Sequence, residues 1–447
     1  MRILLVTNDR VGRERAGPAI RCVELARVLS RHHQVTVASS LPGEMELPGV
    51  QFLFNAVANP RPLRAVARQA DVAITQGLVL DTFPFLRRCC RYIAVDLYDP
   101  YLFEYLAQKD KRLVGWRYLR QWQLLNDQLR RGDFFICAND RQWDYWIGRL
   151  CALGRLTAEE HERDPSFRSL LAVVPFGIDA ESPRHKHAVV KGVMPGISKD
   201  DILLLWAGGI WPWFDPSTVI RGMSLIKDRS DIKLLFLGTR HPNPDIPEMP
   251  IVDESRRLAQ ELGVLGRTVF FREGWVPFEE RQNFLLEADI GVSAHTATIE
   301  ARLSFRTRIL DYIWAGLPMI ITEGDYFAEL IAREGVGKAV SSRNADGWKE
   351  AILSLAGSQN LRQSMQQRLQ GLREQFHWEK VTEPLVRYCR EPYSTRGLSS
   401  LQIGLSRLLT LIYRLRSHLH LRNSPISPSR RSDSVQVKVM ENRYGSS

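Results

Sequence analysis

No run of eighteen or more apolar residues occurs in this chain, so nothing in it reads as a membrane-crossing helix. Signal-peptide features are missing too: the opening MRILLVTNDR has no long apolar core or cleavage site before Asn8-Asp9. A cytoplasmic location is therefore expected. Cysteine is sparse and irregular, at positions 22, 89, 90, 137, 151 and 389, with no CxxC spacing. Such residues read as small buried hydrophobes, which sets aside a disulfide framework or a thiolate metal centre. No His-Cys or carboxylate cluster has metal-ligand spacing, so no metal cofactor is expected. The GxGxxG dinucleotide fingerprint is absent as well, since Gly12 and Gly17 are separated by four residues.

What is present points to a large α/β protein. With 447 residues the chain exceeds one ordinary core, so two domains with additions are expected. Its 44% hydrophobic and 25% charged residues are ordinary for a globular protein. The net charge of +11 would suit a nucleic-acid partner, but residues 393–447 hold nine Arg or Lys against Asp433 and Glu441, which accounts for +7 of it. The excess belongs to a tail, and no nucleic-acid partner is expected.

Apolar runs recur at residues 2–7, 34–38, 50–54, 72–75, 92–97 and 134–138, with helical stretches between. This alternation predicts a doubly wound parallel sheet. A second series runs through 202–207, 233–237, 269–271, 288–293 and 319–322, after a polar stretch at 180–199 that fits a linker. Gly12 and Gly17 precede a helix marked by Ala19, Ile20, Val23, Leu25 and Leu29. Their loop either presents backbone N–H groups to a phosphate or sugar or is an ordinary βα turn. Asp96, Asp99 and Glu104 gather at a strand's carboxyl end, where they suit acceptor hydroxyls or, as the weaker reading, a metal; for Asp99 beside Pro100 a loop cap competes. Gly208-Gly209, directly after the 202–207 strand, permit close approach of a ligand.

Residues 300–322 read EARLSFRTRILDYIWAGLPMIIT. Arg308 and Asp311 are three apart and point the same way on a helix, an arrangement that suits one diphosphate and one set of hydroxyls. His295 follows the 288–293 strand at its carboxyl end, where ligands of open α/β sheets bind. The order RxxDYxxAGxP resembles the nucleotide-sugar site of family 4 glycosyltransferases of the GT-B fold. Residues 171–179, LAVVPFGID, resemble the element that ends the N-terminal domain in that family, and Gly274-Trp275-Val276-Pro277 resembles its loop beside the nucleotide base.

The resemblance covers about residues 1–390 and implies two Rossmann-like doubly wound domains. Residues 1–180 would form the acceptor-side domain, 181–199 a linker, 200–376 the nucleotide-sugar domain and 377–391 a crossing helix, with a basic amphipathic and disordered tail over 392–447. The implied activity is transfer of a sugar from a nucleotide diphosphate sugar to a glycan or lipid-linked acceptor in polysaccharide biosynthesis, with retention and without a metal. Arg308, Arg306, Asp96 and Glu300 are the expected catalytic residues. Gly208, Gly209, Arg240, Trp275, Val276, His295, Asp311 and Gly316 would bind the donor, and Gly12, Gly17 and Asp99 would form the acceptor or phosphate loop.

Three departures from the family pattern matter. Trp211, Trp213 and Asp215 stand where a basic residue is expected, so Arg240, Arg306 and Arg308 are expected to meet the phosphate charge. Asp96 stands where the family has a His. Leu303 occupies the place of the first of two paired glutamates, leaving Glu300 as the nearest candidate. A nucleotide-sugar epimerase using Glu300, His295 and Asp96, or a non-catalytic nucleotide-sugar-binding protein, are the alternatives. In the tail, Leu401, Leu405, Leu408, Ile412, Leu415 and Leu419 share a helical face, with Arg407, Arg414 and His418 on another. That pattern fits either an anionic membrane at the cell's inner face or the protein's own surface.

Overall fold

The computed structural model describes residues 1–107, 115–243, 246, 248–395, 397, 398, 402, 405 and 409. Met1–Gly397 form one compact unit and Leu398–Ser447 a second. The amphipathic helix expected in the tail lies almost wholly outside the described residues.

In the first unit, apolar runs become strands buried on both faces, as a parallel sheet flanked by helices requires. Ile3 and Leu5 of β1 (Arg2–Thr7) point into one core cluster, Leu4 and Val6 into another. β2 (Gln34–Ser39), β3 (Val50–Leu53), β4 (Val72–Gln76), β5 (Tyr92–Asp96), β6 (Phe134–Cys137) and β7 (Leu171–Val173) complete a sheet of order β3-β2-β1-β4-β5-β6-β7. Every pairing in it is parallel.

A second parallel sheet contains β8 (Ile202–Gly209), β9 (Ile232–Gly238), β10 (Val269–Phe271), β11 (Ile290–Ser293), β12 (Met319–Thr322) and β13 (Gly337–Val340), in the order β10-β9-β8-β11-β12-β13. β13 has no counterpart among the expected runs. It is an edge strand paired only to β12, mostly half-exposed, and so needs no apolar run. In each sheet the order reverses beside the first strand, at β1 and at β8. Ligand crevices of doubly wound sheets open outside the carboxyl ends at that point. Here those ends lead into the loop before Gly17 and into Gly208-Gly209.

The chain returns to the first sheet near its end. Tyr388, on the helix Glu383–Arg390, stacks on Phe134 with ring centroids 4.2 Å apart. Beyond it, Ser394 donates to the Asp133 carboxylate at 2.7 Å and Arg155 donates to the Thr395 hydroxyl at 2.6 Å, so residues 394–395 pack as part of this unit.

Candidate active site

Between the carboxyl ends of the two sheets lies a cavity of about 910 Å³. Its floor on the second-sheet side is the end of β8. Gly208 sits at φ +100°, a left-handed conformation open to glycine, and the backbone there is crowded from behind. A Cβ on Gly238 would come within 2.6 Å of the Gly208 carbonyl carbon. The helix Thr307–Ala315 points its first turn at this floor, and Arg306, Thr307, Arg308 and Asp311 all line the cavity.

Arg308 is buried beneath the cavity surface. Its Nη2 donates to the Gly209 carbonyl at 2.6 Å, and its guanidinium lies over Trp206 at 4.6 Å and Phe214 at 4.2 Å. The other terminal nitrogen, Nη1, has no partner. Burial pushes this guanidinium down to about 10, helped by nearby Arg306, yet it stays charged at neutral pH. Arg306 is differently placed. Nη1 and Nη2 grip the two Glu300 oxygens at 2.9 and 2.8 Å, with both side chains buried. Asp311 accepts from Arg281 at 3.1 Å while still lining the cavity.

Aromatic rings build the adjacent wall. Trp213 stacks on Trp211 at 5.8 Å, Trp211 meets His241 at 5.4 Å, and His241 meets Trp275 at 5.6 Å. Burial lowers the His241 imidazole to about 4, so it is neutral at physiological pH. The ladder occupies the place where a basic residue was expected. Trp211 and Trp213 were legible in the sequence as a departure, but nothing there pointed to His241, whose role depends on two distant loops meeting.

The first sheet supplies the opposite wall: Gly17 at the helix start, Tyr98, Asp99 and Glu104 after β5, and Phe176 after β7. Both carboxyls are shifted up. Desolvation and the neighbouring Asp96 carboxylate push Asp99 up to about 7; desolvation and Asp99 push Glu104 well above the usual range. No Arg or Lys from the first sheet's side lines the cavity among the described residues.

Several expected site residues stand elsewhere. Asp96 is buried below the cavity, held by Arg21 through Nε at 2.7 Å and Nη2 at 3.0 Å and by Gln76 at 3.2 Å. Because Arg21 also donates to the carbonyls of Val174 and Pro175, this ion pair ties β5 to the strand-end chain at 174–175 rather than facing a substrate. Glu300 is consumed by Arg306 and by the Ser304 hydroxyl, and does not line the cavity. His295 is buried beside Asp325, 3.4 Å away. The Arg240 side chain is 72% exposed and reaches Glu248 at 3.6 Å, outside the cavity. Val276 packs against the core, and only its neighbour Trp275 lines the cavity. Gly316 is the left-handed cap of its helix at φ +67°, a structural role that RxxDYxxAGxP spacing cannot distinguish from a ligand contact. Gly12 also lies outside the lining: its carbonyl accepts from Arg15 at 3.0 Å, and Arg15 continues to Glu279 at 3.2 Å and lies over the Phe278 ring. The structure therefore brings together Gly17, Asp99, Glu104, Gly208, Gly209, Trp275, Arg306, Arg308 and Asp311 from the expected residues, and adds the aromatic ladder through His241.

Residues 201–358 match the family model described as glycosyl transferases group 1. The second sheet is thus a domain of that group, and the chain is an enzyme of the glycosyltransferase class. Among solved structures, HepE of Anabaena in complex with UDP and glucose aligns with a TM-score of 0.62 at 15% identity, covering 87% of this chain and 99% of that one. Sucrose-phosphate synthase from Thermosynechococcus elongatus aligns at 0.60 and 14%, covering 87% and 98%. WaaG, a glycosyltransferase involved in lipopolysaccharide biosynthesis, aligns at 0.60 and 16%, covering 88% and 100%. These likenesses establish the GT-B fold. No curated protein matches the chain in sequence.

Proposed function

We propose that the chain transfers a sugar from a nucleotide diphosphate sugar, held by the second-sheet wall, to a glycan or lipid-linked acceptor held by the first. The observation that carries this reading is Arg308: a buried, charged guanidinium on the cavity floor with one nitrogen left unpaired beside Gly208 and Gly209. An uncompensated buried cation is costly unless a ligand completes it. A pyrophosphate does so with two oxygens, and the glycine pair, without side chains, lets it approach the backbone closely. As the bond to the sugar breaks, charge builds on the departing diphosphate, and this preorganised set stabilises it without rearranging. Asp311 takes the ribose hydroxyls, and the ladder through Trp275, His241 and Trp211 stacks the base. Retention of configuration rests on the family resemblance, as does independence of a metal.

Asp99 and Glu104 face the acceptor. Desolvation favours their protonated forms, which hydrogen-bond hydroxyls as both donor and acceptor. An epimerase reading loses support, because Glu300, His295 and Asp96, on which it depends, all lie in buried pairs outside the lining. The decisive experiment incubates the protein with labelled nucleotide sugars, with and without membrane and glycan extracts. Labelled glycoside formed only with acceptor supports transfer; an epimerised donor formed without acceptor overturns it.

A further inference from the structure

The helix Trp116–Arg131 buries side chains only in its second half, at Leu125, Asn126, Gln128 and Leu129. Its first two turns bury no side chain, and only Tyr118 there packs on the apolar core. Trp116, Leu119 and Trp122 are 71%, 52% and 43% exposed, and no other tryptophan among the described residues is exposed. Arg117, Arg120 and Gln123 are exposed beside them, and residues 115–126 contain no carboxylate. At about 100° per residue, Trp116, Leu119, Arg120 and Gln123 share one face, flanked by Trp122 and Arg117. Single exposed apolar side chains are ordinary, but two tryptophans and a leucine grouped with arginines mark a surface that meets a partner.

The chemistry of the group selects that partner. Indole rings favour the membrane–water interface, where an apolar body and a polar N–H are both accommodated. Exposed arginines without interleaved carboxylates are drawn to anionic headgroups, although Arg120 also reaches Asp81 at 3.0 Å. Position adds a second argument. The helix Tyr101–Ala107 packs on this one, with the Tyr101 hydroxyl donating to the Gln121 carbonyl at 3.0 Å. That helix carries Glu104 of the cavity wall and Leu106, which is 49% exposed. We infer that the first two turns of Trp116–Arg131, together with Leu106, form a docking surface for an anionic lipid bilayer, which would bring the headgroup layer to the acceptor side of the cavity. The placement rests on the acceptor assignment made above; lipid binding itself does not.

The test uses the full chain in flotation with phosphatidylcholine vesicles, with and without phosphatidylglycerol. Wild type is expected to float with the anionic vesicles and to be released by salt. Replacing Trp116→Ala, Leu119→Ala and Trp122→Ala together should weaken binding about tenfold or more, and Arg117→Glu with Arg120→Glu should abolish the preference for anionic lipid. These side chains are exposed, and unchanged thermal melting and nucleotide-sugar binding would show that fold and cavity are intact. The inference is overturned if wild type fails to float, if the triple variant floats as well as wild type, which would assign binding to the basic tail or another surface, or if the triple variant instead converts a dimer to a monomer on gel filtration. Loss of lipid binding in the triple variant with transfer to membrane acceptors unchanged would overturn the acceptor assignment alone.

Discussion

The Arg308 Nη2 donates to the Gly209 carbonyl at 2.6 Å, so this buried charge on the cavity floor is fixed to the backbone of β8. Two residues earlier, Arg306 spends its guanidinium on Glu300. Neighbours that look equivalent in the sequence therefore have separable roles.

Replacing Arg308 by Ala should lower turnover about a hundredfold or more, the effect of removing one preorganised donor to a developing charge. Arg308→Lys should recover little, because an ammonium cannot both hold Gly209 and reach a second oxygen. Steady-state kinetics with the cognate nucleotide sugar and circular dichroism check this; near-normal turnover in Arg308→Ala removes the residue from the site.

Glu300→Gln should chiefly affect stability. It leaves the buried Arg306 charge without its bidentate partner, at a cost of about 3 kcal/mol, read by urea denaturation. A large loss of turnover with unchanged stability would instead return Glu300 to the chemistry.

Stability should fall with rising pH through the Asp99 window. Its folded value of about 7 lies above the ordinary 3.8, so the folded state retains a proton that the unfolded chain has lost. The associated stability is intact below about pH 4 and declines as pH rises towards about 7. Asp99→Asn should therefore gain on the order of 1 kcal/mol over wild type above that window and little below it, since part of the effect is screened at a half-buried carboxyl. Parallel pH-dependent curves for both proteins would refute the assignment.

The aromatic ladder should act on binding. Trp275→Ala or Trp211→Ala is expected to raise the donor KM about tenfold, the worth of one base-stacking contact, with kcat changed far less. An equal fall in kcat would place these rings against the reacting sugar.

Transfer should survive chelation. On the proposal that Arg308 and backbone amides neutralise the diphosphate, saturating EDTA is expected to leave the rate within about twofold. Abolition by EDTA and rescue by a divalent ion would show otherwise.

The sequence by itself determined the two parallel sheets, because burial on both faces demands continuous apolar runs and these are visible at β1, β2 and β8. It also determined the Arg308–Asp311 pair, since helical spacing puts both on one side, and the glycines at the end of β8. Tertiary structure decided which charges were free. Asp96, Glu300, His295 and Arg240 carry the right chemistry, but each found a partner supplied by a distant segment or by a residue six to eight positions on. Pairing in space leaves no trace in local pattern. The ladder through His241 and the raised carboxyls at Asp99 and Glu104 arose the same way: stacking and desolvation are properties of what surrounds a side chain, and those surroundings exist only once the two sheets face each other.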